Sequence, residues 1–483
     1  MRNAALWIAV LGALALALGG AATSAVRSPH EATQHVPRVP ASAIREHLAA
    51  LQRIADRNGG NRATGNAGYD ASARYVATRM RRAGYAVRLQ EFAFPYVVDR
   101  SPPVLRTTGP ADWGFRANRD YATLAYSGAG QVEAEVVAVD LLVPSPQANA
   151  STSGCEPADF ARFPRGSIAL LQRGTCFFRT KVANAVAAGA SAVVVFNEGN
   201  PGRRKLFGAT LGTPQASVPA LAASFEVGES LRRGTTTGAT GVEVELRADV
   251  VAETGRTRNV IADSRTGDAH NLVVAGAHLD SVLDGPGIND NASGSAVLLE
   301  VAERLANTRP RNRLRFVWWA GEELGLLGSR NYVRRLSQTA QRDHALYLNL
   351  DMVGSPNYVL LVYDGDSSRG SGSAAIERVL SRYLTTRRIP FGESTLGARS
   401  DHAPFVAAGI PVGGIFTGAD GQKSQAEAAK FGGRAGAPYD QCYHRACDTL
   451  ANVNQTALTR SAEATLHTLR VFAQDVSGVR RPG

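Results

Sequence analysis

The sequence predicts an α/β fold, with a mixed and mostly parallel sheet flanked by helices, and three observations predict it. Short, mostly apolar runs at Asn271 to Gly276, Leu314 to Trp319 and Ala345 to Leu350 read as buried strands. Helical stretches at roughly 292–306, 324–335, 373–386 and 456–472 alternate with these and later strands. The runs end in clusters of His, Asp or Glu, just where a glycine-rich turn or a helix begins: His278 and Asp280, Asp290, Glu322 and Glu323, then Asp351. Ligands in open α/β sheets gather beyond the carboxyl ends of strands. Acidic clusters at successive strand ends therefore read as a cage for hard cations, and the chain as a hydrolase.

In chain order, residues 1–25 read as a secretory signal: Arg2, an apolar run from Ala4 to Leu18, then small residues from Gly19 to Ala25. No later stretch offers the roughly 20 apolar residues that a spanning helix needs. The mature chain is expected to be exported, with no membrane contact after signal removal. Residues 26–40 hold several prolines and no periodicity, and read as an arm or pro-segment. His30-Glu31 with His35 has i, i+5 spacing instead of the i, i+4 that puts two imidazoles on one helix face, so it is not read as a zinc motif.

Ser42 is positioned to cap a helix with Ile44, Leu48, Leu51 and Ala55 on one face, closed by Gly59-Gly60. A second helix follows from Asp70 to Gly84, and Tyr85, Val87 and Leu89 alternate as a strand. Prolines and glycines from Phe94 to Trp113 break the pattern and suggest a boundary. From there to about 250 the texture is short strands between turns: Val132 to Val139, Ile168 to Gln172, Ala192 to Phe196, and the alternating Val242, Val244 and Leu246. Helices are expected at Thr180 to Ala188 and Phe225 to Arg232. This stretch has no cluster of metal-binding side chains and reads as a binding or lid module. The first texture resumes near Thr257. The expected organisation is a discontinuous catalytic domain, 41–100 and 251–475, split by an insert at 101–250, with a tail at 476–483.

A net charge of +11 over 483 residues raises the question of nucleic acid. Only Lys181, Lys205, Lys423 and Lys430 are lysines, the arginines are spread along the chain, and no aromatic-interleaved basic stripe occurs. No nucleic-acid partner is expected. Four cysteines make an even count in an oxidising setting. Of three possible pairings the two local ones are expected, Cys155–Cys176 and Cys442–Cys447.

Taken singly, each acidic group has an ordinary explanation. Asp290 and Asp351 could cap helices, Glu322-Glu323 could be first-turn acids favoured by the helix dipole, and a lone histidine at a strand end is usually structural. His278 has Asp280 two residues on, where a carboxylate can fix the tautomer of a metal-bound imidazole. All of these coinciding at successive strand ends points to a site.

The motifs AGAHLDS (275–281), GINDNASGSA (287–296), WWAGEELGLLGS (318–329), NLDMVGSP (349–356), RSDHAPF (399–405), GIPVGGIFTG (409–418) and DQCYHRACDT (440–449) carry a family likeness. On these the chain resembles the secreted co-catalytic zinc aminopeptidases of metallopeptidase family 28, the group of bacterial leucyl aminopeptidases and aminopeptidase Y. The insert resembles a protease-associated domain through GCEPADF (154–160), residues 166–197 and VPALAAS (218–224). The resemblance implies a zinc exopeptidase fold and two zinc ions per chain, bridged by Asp290. His278 and Asp351 would complete one ion, and Glu323 and His444 the other. It further implies Glu322 as general base and acid, Asp280 behind His278, Tyr443 as oxyanion donor, and a cis peptide at Asp290–Asn291. Arg399, Met352 and Phe416 resemble residues around the substrate's first side chain and amino end. Relatives of this type hold calcium where this chain has Arg38, Thr459 and Glu463, so no calcium site is predicted.

The expected function is removal of N-terminal, bulky apolar residues from peptides and proteins by a secreted monomer. A carboxypeptidase or dipeptidase of the same superfamily is the alternative, and would need a cationic clamp for the substrate's carboxylate. A binding protein that lost its metals is a third reading. A serine hydrolase is disfavoured, because no G-x-S-x-G elbow occurs.

Overall fold

The computed structural model describes residues 39–108, 113–212, 215–366, 372–397 and 399–480. The signal and most of the proposed arm, Arg38 included, lie outside the described residues. Two amphipathic helices open the chain, α1 (Ala41–Asp56) and α2 (Ala67–Arg82). Ser42 falls inside α1, and Pro40 occupies the capping position. Their buried faces, Ile44, Leu48, Leu51 and Ala55 on α1, and Ala73, Val76 and Met80 on α2, follow the 3.6-residue period.

The expected break from Phe94 to Trp113 is corrected over its first part, from Phe94 to Thr107. Strand β1 (Ala86–Thr107) runs straight through Pro95, Pro102 and Pro103. It pairs on one side only, antiparallel to a long later strand, and its register shifts between Asp99 and Val104. A one-sided strand with irregular register tolerates missing N–H donors, which is why proline did not end it.

The insert follows with β2 (Tyr121–Thr123), β3 (Gly130–Ala138), β4 (Ile168–Gln172), α3 (Phe178–Ala187), β5 (Ala192–Phe196), β6 (Ala220–Ala223) and α4 (Phe225–Arg232). Strands β3 to β6 are mutually parallel. Ile168, Leu170, Val194 and Phe196 pack on one face, and Ala169, Leu171, Val193 and Val195 on the other. Burial on both faces explains the unbroken apolar runs.

Strand β7 (Gly238–Asp263) then joins the two halves. Its first part pairs with β3 and its last residues with the catalytic sheet. The rest comprises β8 (Asp268–His278), α5 (Gly294–Leu305), β9 (Asn312–Trp319), α6 (Leu327–Arg334), α7 (Gln338–Asp343), β10 (His344–Leu350), β11 (Leu361–Tyr363), α8 (Ser373–Thr386), β12 (Gly392–Ser394), α9 (Ala403–Ala407), β13 (Val412–Phe416), α10 (Gln425–Phe431) and α11 (Gln455–Gln474). Among the described residues one sheet runs β12-β11-β13-β10-β8-β9-β7-β3-β4-β5-β6-β2. Strands β13, β10, β8 and β9 are parallel, so their carboxyl ends share one edge. No helix of the described residues is long and apolar enough to cross a membrane.

Candidate metal centre

Strand β8 ends on His278, β9 is followed by Glu322-Glu323, and β10 by Asp351. Asp290 lies in the irregular turn before α5, beside the cis Asp290–Asn291 peptide. Gly287 makes that turn possible: its φ is +60°, and a Cβ there would collide with the Asp290 carbonyl and with Ser281.

The side chains converge. His278 Nε2 is 3.2 Å from Asp290 Oδ1 and 3.2 Å from Asp351 Oδ1. The other oxygen of Asp290, Oδ2, is 3.1 Å from His444 Nε2, which is also 3.1 Å from Glu323 Oε2. Asp290 thus faces two imidazoles, one per oxygen, and each imidazole has one further carboxylate of its own. Glu322 Oε2 lies 3.9 Å from His278 Nε2. Asp280 sits behind His278, its Oδ1 3.6 Å from Nδ1 and its backbone carbonyl 3.2 Å away. Tyr443 is half-buried and stacks on His444 with ring centroids 3.8 Å apart.

The electrostatics call for positive charge at the centre. Burial disfavours charge on His278 and His444. The carboxylates outweigh it, chiefly Asp351 and Glu322 for His278 and Glu323 and Asp290 for His444, and hold both well above the ordinary histidine range. Asp290 is depressed, its two imidazolium neighbours overcoming burial. Burial and the neighbouring acids Glu323, Asp351 and Asp401 raise Glu322. Buried Glu323 Oε1 has no hydrogen-bond partner, which leaves it available to a cation. Imidazole nitrogens and carboxylate oxygens in this arrangement suit zinc, so His278, Asp290, Glu323, Asp351 and His444 fit such ions. A second group, His47 with Glu300 and Glu303, is closed by arginines: Arg79 pairs with Glu303 and Arg304 with Glu300. It is an ion-pair network.

Several supporting residues were given no role by the sequence, although Ser400, Asp440 and Asp448 stand inside its motifs. Asp448 accepts from the backbone N–H of Asn289 at 2.8 Å and of Asp290 at 2.9 Å. Asp440 accepts from Asn289 Nδ2 at 2.7 Å. Ser400 donates to Asp351 Oδ2 at 2.7 Å. Arg62, fully buried, donates to the carbonyls of Leu279, Pro286 and Gly287 and so fixes the turn between His278 and Asp290. Burial lowers its pKa to about 10, against the pull of Asp280, Asp448 and Asp290. Of the expected pocket residues, Met352 is buried, Phe416 half-buried and Arg399 exposed. Thr417 N donates to the Met352 carbonyl at 2.9 Å, which holds Met352 beside Phe416. Thr459 and Glu463 lie on α11. Both expected disulfides are present, Cys155–Cys176 and Cys442–Cys447.

Comparison with known proteins agrees with this geometry. Residues 259–469 match Peptidase family M28, and residues 132–231 match the PA domain. The chain is 44% identical over 437 residues to an aminopeptidase of Pseudomonas aeruginosa, covering 89% of this chain and 80% of that protein. An aminopeptidase from Aneurinibacillus superposes with a TM-score of 0.68 at 27% identity, over 90% of this chain and 95% of its own. A zinc aminopeptidase from Bacillus subtilis shares the fold, with a TM-score of 0.66 at 24% identity over 91% of this chain and 96% of its own. With strand-end ligands, an inserted PA domain and relatives matched over most of its length, the chain belongs to peptidase family M28.

Proposed function

We propose that this family M28 aminopeptidase holds two zinc ions, His278 and Asp351 completing one and Glu323 and His444 the other, with Asp290 shared. The observation that carries the reading is the division of Asp290: Oδ1 toward His278 and Oδ2 toward His444. When bound, the ions supply Lewis acidity to the scissile carbonyl and to a water. Glu322 takes a proton from that water and returns it to the departing amine. Its raised affinity for protons suits the second half of that task. Tyr443, held neutral by burial and by Asp290, donates its O–H to the developing oxyanion. Asp280 fixes the His278 ring through Nδ1. Ser400 holds Asp351.

The free ammonium of a peptide finds Glu322 and Asp351 as anionic neighbours, and the exposed Arg399 is assigned to the substrate's backbone. Met352 and Phe416 support a preference for bulky apolar first residues. The mature chain acts on peptides as an exported monomer. The test is hydrolysis of a panel of aminoacyl-nitroanilides before and after chelation and zinc add-back, beside an N-blocked dipeptide. Zinc-restored cleavage of leucyl over glycyl substrate is expected. Cleavage of the blocked dipeptide alone would show a carboxypeptidase instead.

A further inference from the structure

The insert contributes nothing to the ligand set, yet it grips the segment that carries Tyr443 and His444. Asp420, in the loop after β13, accepts through one carboxylate oxygen from both Arg173 and Arg203 of the insert, with Arg173 Nη2 at 3.0 Å. Arg203 is itself anchored: Nη1 donates to the buried Glu198 at 2.6 Å and to Asn149 Oδ1 at 2.9 Å. The turn at Asp420 pairs with the backbone leading into the site. Asp440 N donates to the Ala419 carbonyl at 2.8 Å, and Tyr439 N to the Gly421 carbonyl at 2.9 Å. Past His444, Arg445 reaches back and donates to the insert's Gly202 carbonyl at 2.8 Å. The segment is therefore held just before the Cys442–Cys447 loop and, through Arg445, within it.

The charge pattern explains how the clamp closes. Two guanidinium groups meet one carboxylate, and only Arg203 has a second acid, Glu198. Without the Asp420 charge Arg203 keeps Glu198, while Arg173 faces Arg203 with no carboxylate partner of its own. The turn that bonds the Tyr439–Asp440 backbone then loses its tie to the insert.

We propose that Asp420, clamped by Arg173 and Arg203, is a positioning residue through which the insert sets Tyr443 and His444 in place. Asp420 touches neither substrate nor metal ligand; it acts through the backbone of residues 439–444. The function rests on the aminopeptidase reading above, but the positioning does not.

The test compares Asp420→Asn, Arg173→Gln, the double variant and Asp420→Glu, with Arg106→Gln, an exposed arginine paired with Glu245, as control. Zinc-loaded full-length protein is assayed for kcat and KM, zinc retained after mild chelation, and amide exchange in the peptide spanning 439–448. Asp420→Asn is expected to lower kcat roughly 10–100-fold with KM little changed and to speed exchange in that peptide alone. It is also expected to shed one zinc more readily than the other. Arg173→Gln moves the same readouts, the double variant adds little to the worse single one, and Asp420→Glu recovers part of the loss. Wild-type exchange and zinc retention in both single variants overturn the proposal. So does additivity, or loss of protection across the whole chain. Should Asp420→Asn not fold, Arg173→Gln decides, since Arg203 keeps Glu198 paired. Inactive wild-type protein would sink the aminopeptidase reading, while exchange and zinc retention would still judge the clamp.

Discussion

The two halves of the sheet are built alike and used differently. Strands β4, β5 and β6 of the insert are parallel, buried on both faces and backed by helices α3 and α4. Strands β8, β9 and β10 are likewise parallel and buried. The ends of the second set and the loops after them carry His278, Glu322, Glu323 and Asp351, whereas the loops after the first carry Arg173 and the Glu198–Arg203 pair. The same architecture thus gives the candidate metal centre in one half and the proposed clamp in the other. Chemistry resides in the residues beyond the strands; the sheet only fixes where they point.

Substitutions break that comparison in order of size. Asp290→Asn should remove one charge shared by both sites, abolish tight binding of either ion and reduce activity to background, as metal content and hydrolysis would show. Glu322→Gln should lower kcat roughly 10²–10⁴-fold with zinc content unchanged; retained turnover would remove Glu322 from the mechanism. Tyr443→Phe should cost roughly 10² in kcat, as for loss of one oxyanion donor, with little change in KM. In the cores the halves should respond alike. Leu221→Ala in the insert and Leu272→Ala in the catalytic half each remove a buried leucine, at about 2–5 kcal/mol in urea unfolding, without altering zinc content. A large asymmetry between them would mean that the halves do not unfold together.

One strand sharpens the contrast within itself. β10 starts at His344 and ends beside Asp351. His344 is buried, with Tyr332 O–H 2.7 Å from Nε2 and the Ala340 carbonyl 2.6 Å from Nδ1. Burial lowers its pKa to about 4, opposite to the shift at His278. A histidine neutral when folded and free to protonate when unfolded adds stability above about pH 6.5. That stability is lost as pH falls toward 4, at most about 3 kcal/mol. His344→Gln should flatten the acid limb of a stability–pH profile measured on metal-loaded protein, the smallest of these effects to resolve.

The strands, the principal helices and the clustering of acids were legible because each leaves a local trace: an apolar run, a 3.6-residue period, a polar group where a run stops. The prolines of β1 misled, since composition does not reveal that a strand is paired on one side only. Arg62 was invisible for a related reason. An arginine between Asn61 and Ala63 looks like surface, and only its hydrogen bonds to Leu279, Pro286 and Gly287, more than two hundred positions away, make it part of the centre.

By itself the sequence determined which donors exist and which strand ends present them, because side-chain chemistry and periodicity are written residue by residue. The tertiary structure alone decided that the two oxygens of Asp290 face different imidazoles, that Asp448 and Asp440 brace its turn, and that Arg173 and Arg203 close on Asp420. Those are distances between remote parts of the chain, set by how the sheet twists and stacks its loops, and no local pattern encodes them.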